Sequence, residues 1–114
     1  MSARLSEQAP ALLLNADGSI QQLSAAAHRL LGYAERLPGE LCFFSLVHDV
    51  NLYQVIRDVA KMVCYGTKHV SWMLQLRIDT GQWRCFNVQV SNQLKEETGG
   101  LLLHLQEAAP GCRS

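Results

Sequence analysis

Hydrophobic and polar positions recur along this chain with two different periods, and the switch between them marks its elements. Leu12, Leu13 and Leu14 form a short apolar run that stops at Asn15-Ala16-Asp17-Gly18. Asp-Gly is a strong hairpin signal because glycine accepts a positive φ without steric cost. A second strand, Ser19 to Leu23, follows at once, and Ser24 is placed to cap a helix in which Ala27, Leu30 and Leu31 recur at i, i+3 and i+4 before Gly32 stops it. Pro38-Gly39 makes the next stretch irregular; short helices are expected there, with an apolar turn at Cys42 to Val47. Asn51 reads as the cap of a long helix, Leu52 to Tyr65. Its apolar positions Leu52, Val55, Ile56, Val59, Met62 and Val63 keep a helical period, while Gln54, Arg57, Asp58 and Lys61 take the other face.

After Gly66 the period falls to two. Val70, Trp72, Leu74, Leu76 and Ile78 alternate with Ser71, Met73, Gln75, Arg77 and Asp79, the signature of a half-buried strand. A turn at Asp79-Thr80-Gly81-Gln82 returns the chain as Trp83 to Gln93, with Phe86, Val88 and Val90 on one face and Cys85, Asn87, Gln89 and Ser91 on the other. A polar loop, 95–100, precedes a last strand, Leu101 to Gln106, in which Leu101, Leu103 and Leu105 alternate with Leu102, His104 and Gln106. The predicted order is ββαααβββ.

Composition narrows the function classes. The 114 residues make one domain, long enough to build a core without metals or disulfides. Ten basic and ten acidic residues cancel and neither sign forms a run, which argues against nucleic-acid and membrane-surface partners. Charged residues are 18% of the chain, below the usual share of about 25%, which leaves neutral surface for association. The four cysteines are widely spaced, with no local metal-binding pattern. With neither a signal peptide nor a long apolar run, the chain is expected to be soluble and cytoplasmic, its thiols reduced.

Four motifs in order carry a resemblance: ALLLNADGSIQQLSAAAHRLLGY, SLVHDVN opening a helix, LQLRIDTGQWRCFNVQV, and GGLLLHLQEA. Together they resemble a PAS domain over about residues 10–108, flanked by an N-terminal segment, 1–9, and a tail, 109–114. The family often has asparagine where Ser24 stands, a Pro-Asp-Asp type sequence at Asp49-Val50-Asn51, and an Asp-Ile-Thr ending at Glu107-Ala108-Ala109. The resemblance implies an α+β, profilin-like fold: a five-stranded antiparallel sheet with helices packed on one face. It also implies a sensor or interaction module such as those of histidine kinases, cyclic-nucleotide enzymes and transcription regulators. Some members hold haem, flavin or a small organic molecule between sheet and long helix; others dimerise.

The residues weigh against a cofactor. Cys42, three after Gly39, stands where the flavin-binding light sensors of the family carry a reactive thiol. Leu41 and Phe43 replace the asparagine and arginine of that motif, Leu76 and Phe86 replace amide side chains, and only Gln106 agrees. The oxygen-sensing members place a haem histidine within the long helix, and residues 52–65 contain none. His48 is expected to bond backbone at the helix entry, His28 to lie on an exposed helix side, and His69 at a strand start. The neighbouring His48-Asp49 lacks the further ligands of a metal phosphohydrolase, and no nucleophile with its base is visible, so no catalysis and no metal are expected.

Two functions stay open. In one, the segment Arg4 to Ala9 and an outward sheet face of Met73, Gln75, Cys85, Gln89, Leu102 and His104 pair with a second copy or an adjoining signalling domain. In the other, Val55, Ile56 and Val59 of the long helix and Trp72, Leu74, Phe86 and Val88 of the sheet enclose a small apolar ligand; the same residues would serve as plain core. The chain is either a fragment of a larger regulator or a free-standing module.

Overall fold

The computed structural model describes residues 8–32, 42–97 and 99–108. The expected short helices at 34–41 and the Arg4 to Glu7 part of the expected contact segment lie outside them. β1 (Ala11–Leu14) and β2 (Ile20–Leu23) are followed by α1 (Ala25–Leu31), a 3-10 turn (Phe43–Leu46), α2 (Asp49–Tyr65), β3 (His69–Arg77), β4 (Trp83–Gln93) and β5 (Gly100–Glu107). All five strands belong to one antiparallel sheet in the order β2-β1-β5-β4-β3.

The first hairpin is held by its turn chemistry. Gly18 has φ +89°, and Asp17 Oδ1 accepts from both the Ser19 N–H (2.9 Å) and the Ser19 hydroxyl (2.7 Å). Those two bonds, the hydroxyl first, hold the Asp17 carboxyl below its ordinary value. β1 is central, between β2 and β5, so its run of leucines is buried on both faces rather than alternating. Ser24 caps α1 as expected: its Oγ accepts from Ala27 N (3.1 Å), and Gly32 closes the helix with φ +82°.

α2 starts three residues before the predicted Leu52, and the cap is His48 rather than Asn51. Asn51 sits inside the first turn, where its Oδ1 accepts from Gln75 N at 3.0 Å and ties the helix to the edge strand β3. Val55, Val59 and Met62 face the sheet. They meet Ala27 and Leu31 of α1, Phe43 and Leu46 of the 3-10 turn, and the inward sheet residues Leu12, Leu14, Trp72, Leu74, Phe86 and Val88 in one core. Among the described residues no helix is long and apolar enough to cross a membrane.

Candidate functional site

The space between α2 and the sheet is occupied by side chains. Val55, Val59, Trp72, Leu74, Phe86 and Val88, the expected pocket lining, are all buried. Phe43 stacks on Trp72 with ring centroids 6.4 Å apart, and Trp72 Nε1 donates to Asp58 Oδ2 at 2.9 Å, which orients the indole from the helix side. Ile56 departs from the expectation. It is 45% exposed, because the buried stripe of α2 runs through 55, 59 and 62 and leaves 56 and 63 on its flank.

A cavity of about 350 Å³ lies elsewhere, at the C-terminal end of α2. Met62, Val63 and Tyr65 of the helix, Lys68 before β3, and Leu94 and Lys95 after β4 line it. Asn92 assembles this corner: its Nδ2 donates to Met62 O (3.0 Å) and Thr67 O (2.8 Å), satisfying carbonyls at the helix end and in the following loop. No sequence motif announced this cavity, since it exists only where the start of the β4–β5 loop meets the helix end.

The strand register sets the outward residues beside one another. Gln75 pairs with Cys85, Met73 with Asn87, Ser71 with Gln89, and Gln89 in turn with His104; Leu102 lies between Ser91 and Leu13. The six candidate residues therefore share one surface across β3, β4 and β5. Met73 is 48% exposed, Gln89 and His104 are exposed, and Gln75, Cys85 and Leu102 are half-buried. At the outward positions of these strands Arg77 is the one side chain with a permanent charge. Over β1 the same face is closed: Leu13 is buried, and a Cβ on Gly100 would come 2.9 Å from its Cδ1.

No protein-family model matches the sequence, and no curated protein matches it. Solved structures do. The PAS domain of an HTR-like protein from Haloarcula marismortui is similar with a TM-score of 0.68 at 15% identity, over 88% of this chain and 86% of that one. The PAS domain of nitrogen regulation protein NR(II) from Vibrio parahaemolyticus gives 0.63 at 19% identity, over 87% and 88%. The PAS domain of the quorum-sensing receptor RpfR from Cronobacter turicensis, in complex with BDSF, gives 0.62 at 15%, over 90% and 95%. The fold is that of a PAS domain.

Within this PAS fold the cofactor-relevant residues are dispersed. Cys42 is a half-buried free thiol at the start of the 3-10 turn, where its carbonyl accepts from the Ser45 amide and hydroxyl. Leu76 and Phe86 are core, and Gln106, the one position that agreed with the flavin pattern, is exposed on the outward face. His28 is half-buried rather than on an exposed helix side, and its Nδ1 is buried without a partner among the described residues. His69 opens β3 and is exposed. His48 bonds backbone at the helix entry, as its position suggested: Nδ1 accepts from Val50 N at 3.2 Å. Cys64 is free, but Cys85 is disulfide-bonded, which departs from the expectation of reduced thiols.

Proposed function

We propose that this PAS-fold chain is a non-catalytic sensor or interaction module of signal transduction, within a histidine-kinase or transcription-regulator pathway. It acts by pairing its outward sheet face with a second copy or with an adjoining output domain. The observation that carries this reading is the surface that β3, β4 and β5 align: a row of neutral and apolar side chains around Met73, where a solvated antiparallel face ordinarily carries alternating charge. Signal enters as differential affinity for two arrangements of that surface. Sedimentation of the protein and of Met73→Asp tests it. Self-association of the wild type, weakened at least about tenfold by a charge placed in the patch, is the expected result. A variant that associates as well as the wild type refutes the use of this face.

A second reading, a small-ligand sensor, is favoured by the cavity beside Met62, which falls at the low end of the size range of ligand sites. Phe43, Trp72 and Phe86 pack the space between α2 and the sheet, so this reading takes its ligand to be a small organic molecule held at the helix end. Native mass spectrometry with an absorption spectrum of the purified protein decides it. A bound mass that Lys95→Glu removes supports the cavity; a colourless species at the mass of the bare chain refutes it.

A further inference from the structure

We propose that the start of α2 is a proton-operated latch: neutral His48 closes the first turn of the helix beside the β3–β4 hairpin, and protonation of His48 opens that cap. His48 has the extended backbone of an N-cap (φ −63°, ψ 146°), and its ring rather than a hydroxyl or carboxamide accepts a free amide of the first turn, Val50 N, through Nδ1. An imidazole accepts only at an unprotonated nitrogen, so the cap requires the proton on Nε2. The other contacts of the residue reach away from the helix. Its backbone N–H donates to Gln75 O at 2.9 Å, one side of a two-bond clamp whose other half is Gln75 N donating to Asn51 Oδ1. Its ring lies edge-on to Trp83 at 4.6 Å, and the guanidinium of Arg77, the register partner of Trp83, sits 5.9 Å from the centre of the same indole.

Protonation turns both ring nitrogens into donors, so the Val50 bond is lost outright. It also sets a cation at the positive end of the α2 dipole and on the indole that Arg77 already occupies. The charged groups at this corner are Asp49 in the first turn, exposed to solvent, Arg77 of β3, whose guanidinium sits over the Trp83 indole, and Arg84 of β4, which pairs with Glu107; Trp83 itself and Gln75 are uncharged. Neither the first-turn Asp49 nor Trp83 replaces the lost acceptor. The cap is therefore made in one protonation state alone. Gln75, bonded to the His48 backbone, lies on the outward face, so the cap adjoins the sheet surface at β3. The latch is a property of this corner and stands whether or not that surface binds a partner.

An NMR titration of the whole chain from about pH 8 to about pH 5 tests the latch. The expected result is that the amides of Val50 and Gln75 and the indole N–H of Trp83 shift together with the His48 ring, along one curve. In His48→Asn, which caps without titrating, those shifts are lost. Val50, Gln75 and Trp83 signals that stay still through the His48 titration, or that move equally in His48→Asn, overturn it. Should the variant not fold, the ring nitrogens of the wild type decide: an Nε2–H tautomer at high pH is required, and an Nδ1–H tautomer overturns the latch.

Discussion

Replacing Ser24 with alanine removes more than a helix cap. The fully buried Oγ joins three pieces of backbone: it accepts from Ala27 N at 3.1 Å, accepts from Ala11 N at 3.0 Å, and donates to Ala9 O at 2.7 Å. An ordinary serine cap contributes about 1 kcal/mol. The Ala11 amide, on a strand buried along its length, loses its acceptor as well, and a stranded buried donor costs about 1–3 kcal/mol. Ser24→Ala is therefore expected to cost about 3 kcal/mol, a large share of the roughly 5–15 kcal/mol that holds a domain folded.

Urea unfolding followed by circular dichroism measures this. With an m-value of about 2 kcal/mol per molar, the midpoint falls by about 1.5 M with the slope unchanged. Amide exchange separates the two contributions, since Ala11 must lose protection along with Ala27. A loss of about 1 kcal/mol with Ala11 still protected would mean that Ser24 is only a cap, and the junction argument would be wrong.

Two glycines with positive φ should respond differently to alanine. At Gly66 (φ +72°) nothing lies within 4 Å of the added carbon, so the loss is the left-handed penalty of about 1–2 kcal/mol. At Gly18 (φ +89°) the carbon would sit 2.5 Å from the Phe44 ring and the loss must be larger; equal urea midpoints for Gly18→Ala and Gly66→Ala refute this. Asp58→Ala strands the buried indole N–H of Trp72 and is expected to cost about 1–3 kcal/mol, whereas Asp58→Asn keeps an acceptor and costs less; the reverse order in urea denaturation would sink the assignment. The Asp17 carboxyl, lowered chiefly by the Ser19 hydroxyl, binds its proton less tightly folded than unfolded. Its contribution to stability is present above the unfolded value and lost as pH falls through the folded one. In Ser19→Ala its NMR midpoint should rise toward the ordinary carboxylate value, and an unmoved midpoint contradicts the hydroxyl as the cause.

The elements legible in the sequence are those set by short-range rules. Period two located β4 at Trp83–Gln93 and sorted β3 to β5 into two faces, because alternation follows from the pleat alone. The Asp17-Gly18 turn and the Ser24 cap are likewise local chemistry. Where the reading missed, a distant partner decided. The apolar arc of α2 spans more of the helix than the sheet covers, and only the packing of α2 on the sheet selects Val55, Val59 and Met62 over Ile56 and Val63. The cavity needs residues near 64 to meet residues near 94, which no window along the chain contains.

The misplaced start of α2 is the most instructive of these. Asn51 is the better cap by propensity, yet the N–H of Gln75 takes its Oδ1, and that strand contact moves the cap back to His48. An asparagine cap would hold the helix at any pH; the histidine in its place makes the same backbone bond conditional on a proton. Local preference is expected to fail where a fold carries a function, since a site needs what stability alone would not choose. The PAS scaffold here follows its short-range signals nearly throughout and departs from them at the corner where α2, β3 and the end of the β3–β4 hairpin meet.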